Sequence, residues 1–127
     1  MRYRDAKAAI AFLADAFGFE PTMVIEGDAG LIEHAQLVHA TGMVMLGSVR
    51  DDQYGRLVGG SDRPFLASVY VVVDDVAGHA ERARVAGAEI IFEPEEQGYG
   101  GSNYTARDPE GNIWSFGSYD PWASPEG

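Results

Sequence analysis

Apolar residues recur at helical spacing in two separate stretches of the chain, residues 5–20 and residues 74–89. The two stripes are Ala6, Ile10, Leu13 and Phe17 in the first stretch, and Val76, Ala80, Ala83 and Gly87 in the second. Such spacing places the side chains on one face of a helix. Asp5 and Asp74 can cap the first turns, and Gly18 tolerates the left-handed conformation that follows many last turns. The pattern therefore predicts two helices, the second with a stripe of small residues.

Strand-like stretches bounded by turn residues surround each predicted helix. They are residues 22–26, 33–39 and 43–47 after the first helix, and residues 89–93, 103–107 and 112–117 after the second. A further strand, "FLASVYVVV", precedes the second helix, and only residues 1–4 can form its counterpart before the first. The pattern predicts the order β-α-β-β-β twice.

The two halves also match each other in sequence. "DAKAAIAFLADAFGFE" aligns without a gap on "DDVAGHAERARVAGAE", residue 5 matching residue 74, and "MVMLGS" aligns on "IWSFGS", residue 43 matching residue 113. Two separate matches at nearly the same offset indicate an internal repeat. We predict one domain over residues 1–127, with module 1 at about 1–48, a surface-loop linker at about 49–64, module 2 at about 65–120 and a tail at 121–127.

Composition narrows the functional classes. The net charge of −11 opposes the phosphate backbone that nucleic-acid-binding proteins neutralise with clustered Lys and Arg. The chain has no cysteine, so any metal would depend on carboxylates and on His34, His39 and His79. No apolar run is long enough for a membrane helix, and the amino terminus lacks the layout of a signal peptide. We expect a cytoplasmic protein that binds neither nucleic acid nor membrane.

A resemblance to a known family rests on this repeat and on the ending "YTARDPEGNIWSFGSYDPW", with "AIAFLADAFGFE" and "GMVMLG" as further specific elements. The chain resembles the glyoxalase, bleomycin-resistance and extradiol-dioxygenase group, the vicinal oxygen chelate superfamily. The resemblance implies an α+β fold in which two tandem βαβββ modules form a curved mixed-sheet cavity, in most members within a homodimer. Members include metal-dependent isomerases, lyases, dioxygenases and thiol transferases, and metal-free drug-sequestering proteins linked to antibiotic resistance. The fold alone therefore does not define the function.

The resemblance also indicates where metal ligands would lie. Metal-dependent members carry His, Glu or Gln on the first and last strand of each module. Carried over to this sequence, these positions fall at Met45, Ser68 and Ser115, and the fourth would precede Met1. Serine hydroxyls and a thioether bind hard or borderline divalent ions poorly. We therefore expect no metal and no cofactor, with His34 as the best substitute ligand if the register is shifted.

Strand alternation predicts the residues that line the cavity once one position is assigned. If Met45, Ser68 and Ser115 face the cavity, alternate neighbours on the same strands do too, and one face of the strand "EHAQLVH" joins them. The predicted ligand-binding residues are His34, Gln36, Met43, Met45, Ser68, Tyr70, Tyr104 and Ser115. Trp114 and Phe116 alternate with Ser115 and are expected in the core. An apolar wall with a few hydrogen-bonding groups is typical of an organic-ligand site.

These residues favour a metal-free, dimeric protein that binds or sequesters an apolar or aromatic small molecule, with or without a positive charge. One alternative is an enzyme of the family, a lyase, isomerase or dioxygenase. It would be metal-dependent through other ligands, or metal-free with His34 as base and Tyr70 or Tyr104 as acid. A second alternative is an interaction scaffold whose pocket is filled by its own side chains. Met43 and Met45 are equally compatible with ordinary core packing.

Overall fold

The computed structural model describes residues 1–59, 65–98 and 100–123. In chain order its elements are β1 (Arg2–Tyr3), α1 (Ala6–Phe17), β2 (Glu20–Glu26), β3 (Ile32–His39), β4 (Gly42–Ser48), α2 (Gln53–Leu57), β5 (Ser68–Val72), α3 (Val76–Val85), β6 (Glu89–Glu96), β7 (Ser102–Arg107) and β8 (Ile113–Gly117). A short 3₁₀ turn, Asp28–Gly30, joins β2 to β3. The predicted order β-α-β-β-β occurs twice, so the predicted α+β fold is confirmed.

The eight strands form two mixed sheets with the same internal order, β1-β4-β3-β2 and β5-β8-β7-β6. In each sheet the first strand pairs in parallel with the last strand of its module, and the other pairs are antiparallel. The parallel pairs differ in length. β5 pairs with β8 from Ser68 to Val72, whereas β1 pairs with β4 only through Arg2 and Tyr3.

Local capping chemistry defines both long helices. The Asp5 carboxylate accepts a hydrogen bond from Ala8 N at 3.0 Å, and Gly18 ends α1 with a φ of 81°. The cap of α3 is Asp75, which accepts from Gly78 N at 3.0 Å, and the prediction of Asp74 as the cap was wrong by one residue. Two consecutive aspartates can each supply the carboxylate that a first turn needs, and the structure uses the second.

One hydrophobic core lies between the two modules, on the helix-covered side of both sheets. The Phe17 ring of α1 lies 5.6 Å from the Trp114 ring and 4.7 Å from the Phe116 ring of β8. All three side chains are fully buried, which confirms the core assignment of the two β8 residues. Because both sheets turn their helix-covered sides toward this core, their opposite faces both point away from it.

The linker contains a short helix where the sequence predicted a surface loop. Asp52 caps α2 by accepting from Gly55 N at 2.7 Å. The same carboxylate accepts two hydrogen bonds from the Arg2 guanidinium, at 3.0 and 2.9 Å, which ties α2 to β1. Residues 60–64 of the predicted linker lie outside the described residues. Within the described ranges, no helix is long and apolar enough to cross a membrane.

Candidate functional site

Four of the predicted residues lie together on the outer surface of the first sheet, which we call the first open face. Gln36 of β3 is the register partner of Met45 of β4, and Met43 pairs beside them with Val38. His34 Nε2 lies at hydrogen-bond distance, 3.0 Å, from the Gln36 amide oxygen. Alternation along β3 sends the intervening side chains into the core, so the face assignment follows from the strand period.

The first open face is larger than the sequence predicted. Met23 and Ile25 of β2 are exposed and pair with Gln36 and His34, so their side chains extend the same surface. Alternation within "EPTMVIE" was the available signal, but the bulge between Pro21 and Met23 shifts the period by one residue. A bulge of this kind cannot be located from periodicity alone.

The linker borders one end of this face. A cavity of about 280 Å³ is lined there by His34, Met45, Arg50 and Tyr54, among others. The Arg2 guanidinium lies 4.9 Å from the centre of the Tyr54 ring, a cation–π contact. The Arg2–Asp52 ion pair therefore positions an aromatic ring of α2 beside the histidine.

Three further predicted residues lie on the outer surface of the second sheet, the second open face. Tyr70 of β5 is the register partner of Ser115 of β8, and Ser68 precedes it on the same face of β5. The Ser115 hydroxyl hydrogen-bonds to the Thr105 hydroxyl at 3.0 Å. Phe92 of β6 pairs with Thr105 and adds an exposed aromatic ring that the sequence reading missed.

Tyr104 does not line this face, which corrects the prediction. β7 alternates in step with β8, so the residue opposite Ser115 is Thr105, while Tyr104 pairs with the buried Phe116. The Tyr104 hydroxyl lies 2.5 Å from His79 Nδ1 in the core. Burial raises the pKa of Tyr104. Tyr104 is therefore a core residue and cannot act as the acid for a ligand on the second open face.

The hydrogen bonds of His79 define its tautomer. Nε2 lies 2.8 Å from the carbonyl oxygen of Phe17, which can only accept, so Nε2 carries the proton. Nδ1 then accepts the hydrogen of the Tyr104 hydroxyl. Burial lowers the pKa of His79 and favours this neutral form. Both ring nitrogens are thus engaged in holding α3 against α1 and β7.

The residues at the family's metal positions do not fit a divalent ion. Met45 offers a thioether, Ser68 a hydroxyl, and Ser115 a hydroxyl already bonded to Thr105. Among the residues that the structure describes, no three His, Asp or Glu side chains lie close enough together to hold a metal ion. Neutral oxygen and thioether donors of this kind are poor ligands for Zn²⁺, Ni²⁺ or Fe²⁺.

The predicted site residues thus fall into two groups on two different sheets. Each group is gathered on one open face, and the two faces turn away from their common core. Each group contains exposed apolar side chains beside a few hydrogen-bonding groups.

Three comparisons relate this chain to known proteins. A model of the Glyoxalase/Bleomycin resistance protein/Dioxygenase superfamily matches residues 1–116. The crystal structure of TioX from Micromonospora sp. ML1 matches with a TM-score of 0.78 and 31% identity, covering 92% of each chain. A protein of Mycobacterium bovis without an assigned function is 29% identical over 119 residues, which is 89% of this chain and 76% of that protein. These findings confirm the resemblance, and the chain belongs to the glyoxalase/bleomycin resistance protein/dioxygenase superfamily.

Proposed function

We propose that this protein binds an apolar or aromatic small molecule, with or without a positive charge, on its open faces and without a metal ion. The observation that carries the proposal is the exposure of large apolar side chains on both faces. Met43 and Met45 are 50% and 52% exposed on the first, and Phe92 is 66% exposed on the second. Apolar walls with a few polar groups are typical of organic-ligand sites, and methionine adapts to varied shapes.

We further propose that a homodimer completes the binding site. A two-fold pairing can bring the first open face of one chain against the second open face of its partner and shield both from water. Analytical ultracentrifugation should then give twice the chain mass of 13.7 kDa. Met45→Lys should shift the protein toward the monomer, while Val85→Lys, on the outer surface of α3, should not. A monomer in the presence of saturating ligand would contradict this proposal.

Binding is tested by thermal denaturation with three probes of matched shape: naphthyl methanol, naphthyl methylamine and naphthoate. We expect the alcohol and the amine to raise Tm and the carboxylate to do so least, because the net charge is −11. A ligand at about 100 times its dissociation constant stabilises the folded state by about 2.7 kcal/mol. If neither the alcohol nor the amine raises Tm, the binding proposal fails.

A matched pair of variants locates the binding. Met45→Gln removes an apolar side chain from the first open face, and Val85→Gln makes the same kind of change on the outer surface of α3, where Val85 is 81% exposed. We expect Met45→Gln to weaken probe binding by about fivefold, the order of one buried apolar group, and Val85→Gln to leave it unchanged. Equal effects of the two changes would argue against a site on the open face.

Metal content discriminates between this proposal and the enzymatic alternative. We expect elemental analysis of the purified protein to show no stoichiometric Ni, Zn, Fe or Mn, because the donors at Met45, Ser68 and Ser115 suit none of them. One metal ion per chain, lost in His34→Ala, would instead indicate a metal-dependent enzyme and would overturn the metal-free part of the proposal.

A further inference from the structure

The repeat creates two equivalent contacts between the modules. At the β1 junction, the end of β1 and the start of α1 (residues 3–5) meet the β7–β8 turn (residues 108–112). At the β5 junction, the end of β5 and the start of α3 (residues 73–75) lie beside the β3–β4 turn (residues 39–42). The two junctions have the same topology, so differences between them come from their side chains.

Strand register and the sequence offset between the modules define which positions correspond. Asp108 and His39 each open a turn, opposite Asn112 and Gly42 respectively. The four equivalent pairs are Tyr3 and Val73, Asp108 and His39, Asn112 and Gly42, and Trp114 and Val44. In three of these pairs the β5 junction carries the smaller and less polar residue.

At the β1 junction the four side chains fill the contact. The Asp108 carboxylate accepts hydrogen bonds from the Tyr3 hydroxyl at 2.6 Å, from Trp114 Nε1 at 3.0 Å, and from Asn112 N and Nδ2 at 3.0 and 3.1 Å. All four residues are buried. No ligand fits between these side chains. A cavity of about 530 Å³ lies beside them, lined by Arg4, Phe12 and residues 107–111, and it reaches none of Tyr3, Asn112 and Trp114.

At the β5 junction the equivalent residues leave a cavity of about 860 Å³, which we call the β5 cleft. His39, Gly42, Val44 and Val73 all line it, together with the edge of β5. His39 Nδ1 is buried without a hydrogen-bond partner in the described part of the chain. The cleft is thus lined by the positions whose equivalents at the β1 junction carry tyrosine, tryptophan and asparagine side chains.

The basic side chains beside the cleft either donate hydrogen bonds to other groups or are neutral. Arg82 donates to the carbonyl oxygens of Ala14 at 3.0 Å and Asp15 at 3.1 Å, so its charge stabilises the C-terminus of α1. His79 is held neutral by its two hydrogen bonds. Burial, followed by the charge of Arg82, lowers the pKa of His39, so this ring is also neutral near pH 7.

The acidic side chains of the cleft outnumber the basic ones. Asp74, Asp75 and Asp120 line it. Asp75 caps α3, and one oxygen of Asp120 accepts a hydrogen bond from Trp122 N at 2.9 Å. Trp122 lies at the same boundary with its indole 91% exposed, and Phe19 adds a second aromatic ring. Carboxylates beside an exposed indole suit a cation, through Coulomb attraction and cation–π contact.

We propose that the β5 cleft is a second binding site, for an organic cation with a flat apolar body such as an aryl alkylamine. Its volume lies within the usual range for small-molecule sites. The apolar body packs against the valines of β4 and β5, and the ammonium group lies near Asp74 or Asp120. Of the residues assigned to the open faces, Met43 and Tyr70 also border this cleft.

Backbone amide NMR titrations with three probes of the same length test the proposal: phenylpropylamine, phenylpropanol and phenylpropionate. We expect the amine to shift the amides of Gly42, Val44 and Val73 and to leave those of His34 and Met45 in place. The alcohol should bind about tenfold more weakly and the carboxylate more weakly still, because each loses the attraction to the carboxylates. Amine-induced shifts confined to the open faces, or none at saturating probe, would overturn this proposal.

Charge-removal variants keep the test independent of packing. Asp74→Asn with Asp120→Asn should weaken amine binding about fivefold to tenfold, because two partly exposed charges are removed. The control, Glu95→Gln with Glu96→Gln at the β6–β7 hairpin, changes the net charge equally and should have little effect. Equal weakening by both pairs would mean that only the overall charge attracts the amine, and the cleft would be rejected.

A volume variant gives a second, independent readout. His39→Asp with Val73→Tyr reproduces in the β5 cleft the tyrosine–aspartate pair of the β1 junction. We expect it to abolish amine shifts in the cleft while naphthyl methanol still binds at the open faces. Unchanged amine binding by the folded variant would overturn the proposal, and a variant that does not fold leaves the decision to the Asp→Asn pair. Failure of the open-face site would appear separately, at Met45.

Discussion

At the β1 junction a buried carboxylate joins the two modules, whereas at the β5 junction two neutral imidazole rings do. Asp108 accepts six hydrogen bonds from the side chains and backbone around it. On the other side of the molecule, His79 bonds to Tyr104 and to the Phe17 carbonyl, and its ring lies 6.0 Å from that of His39. The same topology is thus stabilised by two different chemistries.

A repeated fold therefore does not require the same chemistry at equivalent positions. A buried carboxylate must have its hydrogen bonds satisfied, which favours a filled, rigid contact. A neutral imidazole needs fewer partners, so the neighbouring positions can carry small residues. This explains why the β5 cleft is bordered by Val44 and Val73, whereas the smaller cavity of about 530 Å³ at the β1 junction reaches Asp108 but not Tyr3, Asn112 or Trp114.

Removing the Asp108 carboxylate should have the largest effect on stability. Asp108→Ala leaves the Tyr3 hydroxyl, the Trp114 indole N–H and the Asn112 amide without their acceptor in a buried site. Several unsatisfied buried donors should lower the free energy of unfolding by about 3–5 kcal/mol. Urea denaturation followed by circular dichroism measures the loss.

The equivalent change at the β5 junction is the control. Among the described residues, one nitrogen of His39 has no hydrogen-bond partner, and its ring contacts Phe19 and His79 edge-on or tilted. His39→Ala should therefore cost about 1–2 kcal/mol, mainly from lost packing. Equal losses at Asp108 and His39 would show that the carboxylate network is no stronger than the ring contacts.

A second, smaller effect is expected at the Glu110 carboxylate. It accepts hydrogen bonds from Arg4 N at 2.6 Å and Asp5 N at 2.8 Å, at the start of α1. Glu110→Ala removes both and should lower the unfolding free energy by about 1–2 kcal/mol, as for the loss of a helix cap. At the β5 junction neither Ala40 nor Thr41 of the β3–β4 turn carries a carboxylate, so Ala40→Ser should change stability little.

Much of the fold could be predicted because its signals are local. Helix α1 begins after Asp5, which caps its first turn, and ends at Gly18, which has a left-handed φ. Both signals depend on neighbouring residues only. The repeat then supplied the order of the second module, and the strand before α3 implied the short β1 of the first module. Helix α2 could not be predicted in this way, because its attachment depends on the Arg2–Asp52 ion pair between distant parts of the chain.

Candidate site residues could be predicted where alternation along one strand determines which face a side chain occupies. They were missed where the pairing between two strands determines it. Met45 and Ser115 follow from the family resemblance, and Met43 and Tyr70 from alternation along the same or paired strands. Tyr104 was misplaced because its face depends on the register between β7 and β8, which pairs it with Phe116. The β5 cleft was not predicted, because recognising it requires the residues of one module to be compared with their structural equivalents in the other.

Acid should weaken the β5 junction. Burial lowers the folded-state pKa values of His39 and His79 below the value of 6.5 expected for the unfolded chain. As pH falls through about 6.5, the unfolded chain therefore binds protons first, and stability decreases. The nearby Arg82 charge and the Tyr104 hydroxyl disfavour protonation further. Urea denaturation at about pH 7 and about pH 5 should show the loss, and stability that rises on acidification would contradict it.

Two features separate this effect from other titrations. The His39→Leu variant should lose part of the pH dependence and keep the part due to His79. Asp52 titrates in a different range, because its hydrogen bond from Arg2 lowers its pKa to about 2. Its contribution is complete above about pH 4 and is lost only as the pH falls toward 2, so it leaves the histidine range unaffected.

The smallest expected effect concerns backbone conformation in the two turns. Ala40 in the β3–β4 turn has a φ of 51°, and Gly111 in the β7–β8 turn has a φ of 99°. A side chain is strained at positive φ, so Ala40→Gly should raise the unfolding free energy by about 0.5–1 kcal/mol. Gly111→Ala should lower it by a similar or larger amount, since an added Cβ would meet Leu66 at ordinary contact distance and strain alone decides. If Ala40→Gly is destabilising, then unfolded-state entropy outweighs turn strain, and the two turns differ less in conformational cost than their φ values indicate.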